Sequence, residues 1–335
     1  MEKVPQTIGN VVVEEEQNSE SSMKNYIGKF GSLLALIMLM VVLTILSDKF
    51  LTFNNLMNIA RQSTINALLA LGMLLPILTA GIDLSVGSIL AISIMSMGVV
   101  SVSMGVHPLL GILVCLLVGA GFGFLNGVML TKLRLPHPFI STLGTMNIAR
   151  GLALIITGAA PIAGFPLIIQ YLGSEYVGPI PVSLVVVILI YCVFHIFLTR
   201  TQTGRYIYAI GGNKEAARLS GINVDRVLII VYSLSGLMAG LAGLMMVGRV
   251  NSAFPLAGSG YELDAIAAVI IGGASFFGGV GTVWGTLVGV FIIAVLRNGL
   301  NLLNVSADFQ MAVIGVVIIA AVFVDVLRQR KSKKV

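Results

Sequence analysis

The stretch RTQTGRYIYAIGGNKEAARLSGINVDR, residues 200–226, is the one long charged segment that lies between apolar segments in the interior of this chain. It carries five basic residues against only Glu215 and Asp225. The chain is 57% hydrophobic and 10% charged, so a segment of this polarity has to lie in water. Because loops on the cytoplasmic side of a membrane are rich in Lys and Arg, the segment predicts a cytoplasmic loop of an integral membrane protein.

Residues 213–221 of this loop, NKEAARLSG, predict a short helix. Asn213 is a residue type that caps helix N-termini, and Gly221 is the type that ends a helix in the left-handed conformation. A short helix with small side chains, lying flat beneath a bundle of membrane helices, suits the docking of another protein. The loop therefore predicts a partner on the cytoplasmic side.

The composition excludes an ordinary soluble domain. Mean hydropathy is +1.01, and the charged fraction is far below the usual value of about 25%. The pI of about 9.4 would suit a nucleic-acid-binding protein. The basic residues, however, concentrate in inner loops and the two tails, as membrane topology requires, and we expect no nucleic-acid partner. Cys115 and Cys192 each lie in an apolar run and predict packing residues.

Apolar runs long enough to cross about 30 Å of hydrocarbon predict an all-α fold, a polytopic integral membrane bundle of about ten transmembrane helices. Ten crossings from a cytoplasmic N-terminus return the C-terminus to the cytoplasm, which agrees with the basic ending RQRKSKK. The predicted spans lie near 30–47, 58–79, 84–104, 108–130, 138–157, 181–198, 227–248, 263–280, 283–300 and 310–327.

Three regions follow from this pattern. Residues 1–26 are acidic and polar, lack the features of a signal peptide and predict a disordered cytoplasmic tail. Residues 27–327 are predicted to form the transmembrane domain, which includes the cytoplasmic loop 200–226. Residues 328–335 are predicted to form a basic cytoplasmic tail, and the weakly charged loop 158–180 falls on the outer side.

Glycines are dense in two of the predicted spans. Gly119, Gly123 and Gly127 recur every four residues in one span, and SGLMAGLAGL (235–244) lies in another. Small residues with this spacing let helix backbones approach closely in lipid. The Gly-rich segment 271–285 has neither the Lys nor the spacing of a phosphate-binding loop, so it predicts a tight connection between two helices.

Asp83 and Ser85, in TAGIDLSVG (79–87), interrupt a largely apolar stretch of 47 residues, 58–104. A carboxylate at this depth is costly unless it faces water, a partner or an unwound backbone. Asp83 can cap the start of the next span, and it can in addition line a translocation pathway together with Ser85. The sequence leaves both interpretations open.

Glu262 and Asp264 lie at the outer end of the eighth predicted span. Their charges suit a helix N-terminus, or they form a polar rim that receives a hydroxylated ligand. Asn147 and Asn298, if they face the bundle interior, would supply the donors and acceptors that a neutral polyol needs. We expect the Arg150 side chain to extend to the outer face.

The histidines lack ligand-like spacing and no nucleophile accompanies the carboxylates, so we predict neither a metal site nor catalytic residues.

Several stretches resemble the membrane-spanning permease subunits of bacterial ATP-binding cassette importers for monosaccharides, the ribose permeases most of all. The resemblance extends from about residue 30 to residue 327. The matching stretches are TAGIDLSVGSILA (79–91), HPFISTLGT (137–145), GRYIYAIGGNKEAARLSGINV (204–224), GYELDAIAAVIIGG (260–273) and NGLNLLNVS (298–306). Allose and galactose permeases share several of these features. Glu215, Ala216 and Ala217 followed by Gly221 match the EAA-xxx-G pattern of the loop that contacts the ATPase in that family.

The resemblance implies a transport subunit of the bacterial inner membrane, not an enzyme, that needs no cofactor. It implies an assembly of two permease copies in the lipid bilayer, a separate ATP-binding cassette ATPase and an extracytoplasmic sugar-binding protein. The alternative class is an ion-coupled secondary transporter, for which Asp83 would be the coupling carboxylate. The residues that would couple the permease to the ATPase are Asn213, Glu215, Ala216, Ala217 and Gly221.

Overall fold

The computed structural model describes residues 31–332 of the chain. The predicted tail 1–26 and the last residues, 333–335, lie outside the described residues, and residues 328–332 continue the last helix. A π-helical turn, Val99–Ser103, extends the third helix. Two short two-stranded sheets pair β1 Ile162–Ala163 with β4 Ser252–Ala253, and β2 Tyr176–Val177 with β3 Ile180–Pro181.

The rest of the secondary structure in this part of the chain is helical. In chain order the helices are α1 Gly31–Leu46, α2 Phe53–Leu78, α3 Val86–Gly98, α4 Pro108–Thr131, α5 Pro138–Ile155, α6 Leu167–Ser174, α7 Val182–Arg200, α8 Gln202–Gly212, α9 Lys214–Leu219, α10 Val224–Val250, α11 Tyr261–Ile271, α12 Val283–Leu302 and α13 Ala307–Ser332.

Each of the ten predicted spans contains one of these helices. Seven of the described helices are long and apolar enough to cross a membrane: α2, α3 with its π-helical turn, α4, α7, α10, α12 and α13. α1 is a shorter apolar helix, and α5 and α11 are not among the seven. The predicted all-α membrane bundle is confirmed, while the number of complete crossings and the side of each terminus stay predictions.

The eighth predicted span, 263–280, differs from its helix. α11 ends at Ile271 after 11 residues, a rise of about 16 Å, which is half of the thickness to be crossed. Gly273, Gly278 and Gly279 follow it with positive φ values of 94°, 87° and 71°, a conformation that other residues rarely adopt. The tight helix connection predicted for this Gly-rich segment is present, but it takes up half of the predicted span.

Close backbone contact between α4 and α10 forms the most extensive helix pair of the bundle. A Cβ added at Gly119 would lie 3.1 Å from the Cα of Gly240, and one added at Gly123 would lie 3.1 Å from the Cα of Gly236. Gly121, on another face of α4, has open space around it. The spacing of the glycines therefore predicted the packing face correctly.

Burial divides the helices into inner and outer ones. Most of α2 and α10 is enclosed by the bundle, whereas α4 and α13 direct apolar side chains outward. On α13, for example, Val316, Ile319 and Phe323 are 61–71% exposed. Such a surface suits hydrocarbon rather than water.

Candidate functional site

The short helix α9 has the two ends that the sequence predicts. Asn213 Oδ1 accepts hydrogen bonds from the backbone N–H groups of Glu215 (3.1 Å) and Ala216 (3.0 Å). At the other end, Gly221 has a φ of +82°, and its N–H donates to the Arg218 carbonyl at 3.0 Å. The N–H of the next residue donates to the Ala217 carbonyl at 3.1 Å, which completes a Schellman motif.

One face of α9 packs on the protein and the other is free. Ala217 is buried, whereas Glu215 and Arg218 form an exposed ion pair of 3.3 Å along the helix. Leu219, at the last turn, is 88% exposed. A leucine this exposed on a capped helix, outside the apolar belt of the bundle, marks a surface that a protein partner can cover.

α8 joins this helix rigidly to the bundle. The Gly279 N–H donates to the Leu78 carbonyl at the end of α2 (2.9 Å), and a Cβ on Gly211 of α8 would clash with both residues. The Tyr208 hydroxyl donates to the Gly281 carbonyl at 2.9 Å, and burial raises the pKa of this phenol. α8 therefore contacts the end of α2 and the connection between α11 and α12 at once. We call this end of the bundle the α9 end.

A cleft of about 830 Å³ opens beside α9. Its walls come from α8, α9, the first turns of α10 and the loop between α4 and α5. Arg134, Lys214 and Arg218 make it predominantly basic, and Asp225 in the first turn of α10 also lines it. Tyr232 lines the cleft and lies against Gly81, close to the interrupted segment between α2 and α3.

Asp83 lies in that interrupted segment and is fully buried. Its Oδ1 accepts from the backbone N–H of Ser85 (3.0 Å) and from the Ser85 hydroxyl, and its Oδ2 accepts from the Ser235 hydroxyl at 2.8 Å. The Asn126 side chain donates to the Ser85 hydroxyl at 2.8 Å. The carboxylate thus precedes α3 and binds Ser85, which is the N-cap residue of α3, but this contact is not a side-chain cap of the helix. It connects the start of α3 with α10 through Ser235, and with α4 through Ser85 and Asn126. Asp83 is not among the residues that line the cleft beside α9.

A second interrupted segment, between α10 and α11, meets the start of α3. A Cβ on Gly258, whose φ is +69°, would lie 2.8 Å from the Gly87 carbonyl oxygen. Arg150 holds this segment in place by donating to the backbone carbonyls of Pro255 (2.6 Å) and Ala257 (2.8 Å). Its guanidinium therefore binds the backbone of the segment between α10 and α11, and extension of this side chain to the outer face stays a prediction. Non-helical backbone of this kind is tolerated in membranes only inside protein.

A polar cavity of about 180 Å³ lies between the first half of α2, the first turn of α11 and the last half of α12. Asp264 and Arg297 face each other there, with Arg297 Nη2 2.7 Å from each carboxylate oxygen. The side chains of Asn298 and Asn55 donate to each other at 2.8 and 2.9 Å and tie α12 to the start of α2. This cavity is about 20–25 Å along α2 from the α9 end.

The predicted site residues thus fall into separate places. Asp264 and Asn298 line the polar cavity, whereas Glu262 lies on another face of α11, beside Gly87. Asn147 is exposed on α5 and donates to a backbone carbonyl of its own helix. Asn66 and Arg297 also line the polar cavity. Asn126 and Ser235 take part in the buried hydrogen bonds around Asp83 and Ser85. Sequence reasoning did not identify Asn66, Asn126 or Ser235, because their contacts join residues far apart in the chain.

The histidines have ordinary structural roles where their contacts are known. His107 and His137 accept hydrogen bonds from the backbone N–H groups of Leu109 and Phe139, and so cap α4 and α5. Over residues 31–332, we find no group of three or more His, Cys, Asp or Glu side chains that could hold a metal ion.

Long apolar helices that enclose polar cavities and interrupted segments define a multi-pass membrane transport protein. The family described as the permease component of branched-chain amino acid transport systems matches residues 55–322, and the chain belongs to that family. It is a multi-pass protein of the inner membrane.

Relatives match over most of their length. The ribose import permease of Escherichia coli strain K12 is 46% identical over 305 residues, covering 89% of this chain and 94% of the relative. The ribose import permease of Bacillus subtilis strain 168 is 47% identical over 299 residues, covering 89% and 92%. The D-allose transport system permease of Escherichia coli strain K12 is 41% identical over 303 residues, covering 89% and 91%. No solved structure matches the chain.

Proposed function

We propose that this chain is the membrane-spanning permease subunit of an ATP-binding cassette importer that carries a monosaccharide across the cytoplasmic membrane. Ribose is the sugar that we propose as its substrate. The observation that carries the proposal is the identity of 46–47% with ribose import permeases of two distant bacteria. Identity falls to 41% with the allose permease and 36% with the galactose/methyl galactoside permease of Escherichia coli. The order of these values favours ribose over the other two sugars.

The geometry of α9 supports an energy source on a separate ATPase subunit. This helix carries Glu215, Ala216 and Ala217, and the exposed Leu219 precedes the turn at Gly221. An ATPase seated on this surface would push on α8, which contacts α2 and the connection to α12. Closure of two ATPase subunits would then change the balance between inward-open and outward-open states.

The remaining partners follow from the same proposal. A second copy of the permease would complete the membrane part, and an extracytoplasmic sugar-binding protein would deliver the sugar to the end opposite α9. The permease itself would bind and release the sugar unchanged, with ATP hydrolysis on the partner subunit. It would need neither catalytic residues nor a cofactor.

The test is uptake of labelled ribose by right-side-out vesicles that hold the permease and its ATPase, with ATP enclosed and the sugar-binding protein added outside. We expect uptake that requires ATP and the binding protein, and that unlabelled ribose inhibits more strongly than allose or galactose. Uptake driven by a proton or sodium gradient without the ATPase would overturn the proposal in favour of a secondary transporter. Stronger inhibition by allose or galactose would overturn the choice of ribose alone.

A further inference from the structure

The polar cavity between α2, α11 and α12 is built for a ligand with many hydroxyl groups. Ten of its thirteen lining residues have side chains that donate or accept hydrogen bonds. Its volume of about 180 Å³ would hold about six water molecules, which is the scale of one sugar ring. Several of these side chains pair with one another or with backbone, among them Asp264, Asn298 and Gln310, and an apolar solute would leave the unpaired ones without partners.

Two buried polar atoms at this cavity have no partner within the described residues. They are the side-chain oxygen of Asn66, an acceptor, and Nε of Arg297, a donor. Buried polar atoms of this kind are uncommon, because leaving them unpaired is unfavourable. Both residues line the same cavity, so a ligand or waters that enter it can supply the opposite groups once these side chains turn toward it.

The cavity lining carries one carboxylate and two guanidinium groups. Asp264 is nearly buried and both of its oxygens lie 2.7 Å from Arg297 Nη2, so these two charges compensate each other. The remaining positive charge of Arg249 repels a cationic ligand, and the Asp264 carboxylate repels an anionic group placed beside the pair. A neutral polyol avoids both penalties, since each hydroxyl donates and accepts.

We propose that this cavity binds one neutral monosaccharide inside a single protomer. Adjacent hydroxyls of the sugar bridge the Asp264–Arg297 pair, one donating to the carboxylate and one accepting from Arg297 Nε. Asn66 accepts from a further hydroxyl. The inference rests on the proposed function and adds to it the position of a sugar site within each copy, about 20–25 Å along α2 from the α9 end.

Asn66→Ala is the first test, because a structural role and a ligand role predict different results. The Asn66 oxygen has no protein partner among the described residues, so its removal should leave the melting temperature of the purified permease unchanged or raised. Removing the hydrogen bond that this oxygen accepts from the sugar should weaken ribose binding about tenfold. Binding is measured by equilibrium dialysis of labelled ribose against the permease in lipid nanodiscs, without ATPase or binding protein.

Ser93→Ala is the matched control, since Ser93 is fully buried in α3 and its hydroxyl oxygen also lacks a partner among the described residues, but it lies outside the cavity. We expect this variant to bind ribose as the wild type does. Arg297→Lys keeps a positive charge beside Asp264 while removing Nε, and it should weaken binding with little loss of folded protein.

The outcomes separate this inference from the proposed function. Unchanged affinity in both Asn66→Ala and Arg297→Lys would overturn the site, as would the absence of saturable binding of ribose, allose and galactose to the wild type. Tighter binding of ribose 5-phosphate than of ribose would overturn the neutral-ligand assignment. In each of these cases, ATP-dependent ribose uptake by the complete wild-type assembly would leave the importer proposal standing.

Discussion

The sequence left two interpretations open for Asp83, a helix cap and a residue of the translocation pathway. It is fully buried, and the donors that surround it are the Ser85 N–H, the Ser85 hydroxyl and the Ser235 hydroxyl. A buried carboxylate is stable only when its oxygens accept hydrogen bonds in this way. These contacts satisfy the carboxylate in this conformation, but none of them is a side-chain cap of α3. The structural role of Asp83 and its role in the translocation pathway both stay predictions.

Replacement of Asp83 separates the two roles. Asp83→Asn keeps an acceptor for the Ser85 N–H, and the Ser235 hydroxyl can rotate to accept from the new amide, so we expect normal insertion and normal uptake. Asp83→Leu leaves buried hydroxyls unpaired at about 1–3 kcal/mol each, and we expect it to lower the yield of folded protein. The measurements are yield from detergent extracts and ribose uptake at matched expression. A well-folded Asp83→Asn with reduced uptake would instead place the carboxylate in the pathway.

At the level of the helices, hydropathy predicted where the helices occur but not where each one ends or how they pack. All ten predicted spans contain helices, because long apolar runs need internally paired backbone in lipid. Hydropathy wrongly predicted that residues 272–280 continue the helix. It measures the polarity of side chains and cannot distinguish an apolar helix from an apolar Gly-rich loop. Asp264 and Asn298 were predicted as polar residues of the pathway, but their meeting with Asn66 depends on how α2, α11 and α12 pack.

Close packing of α4 on α10 gives a test with an internal control. Gly123→Val would place a side chain against the α10 backbone, and overpacking of this kind costs about 1–3 kcal/mol. Gly121→Val, two residues away, enters open space and should change stability by less than about 0.5 kcal/mol. Thermal unfolding of the two purified variants measures the difference. Equal melting temperatures would show that α4 does not contact α10 through this face.

Across the whole molecule, the contacts connect the docking surface with the polar cavity. α9 continues from α8, and α8 lies against the end of α2 and the connection between α11 and α12. The walls of the cavity come mainly from the same three helices, α2, α11 and α12. A displacement of α9 by a partner would therefore reach the cavity through α8 and α2, and through the Gly-rich connection that joins α11 to α12.

This arrangement predicts that α9 can be changed without harm to the membrane part. Leu219 is 88% exposed, so Leu219→Asp should insert and fold normally while weakening ATPase association and ribose uptake. Gly221→Val should do the same by forcing a β-branched residue into a φ of +82°, at a cost of about 1 kcal/mol or more. Glu215→Lys should act likewise, because it removes the ion pair with Arg218 and places a positive charge at the helix N-terminus.

Co-purification of the ATPase with each variant, together with uptake at matched expression, is the measurement. Gly212→Ala is the control for the glycine change, because Gly212 also has open space around it but lacks a positive φ. We expect wild-type association and uptake from this control. If Leu219→Asp, Gly221→Val and Glu215→Lys all retained normal association and uptake, α9 would not be the surface on which the ATPase acts. The energy for transport would then have to enter the bundle by another route.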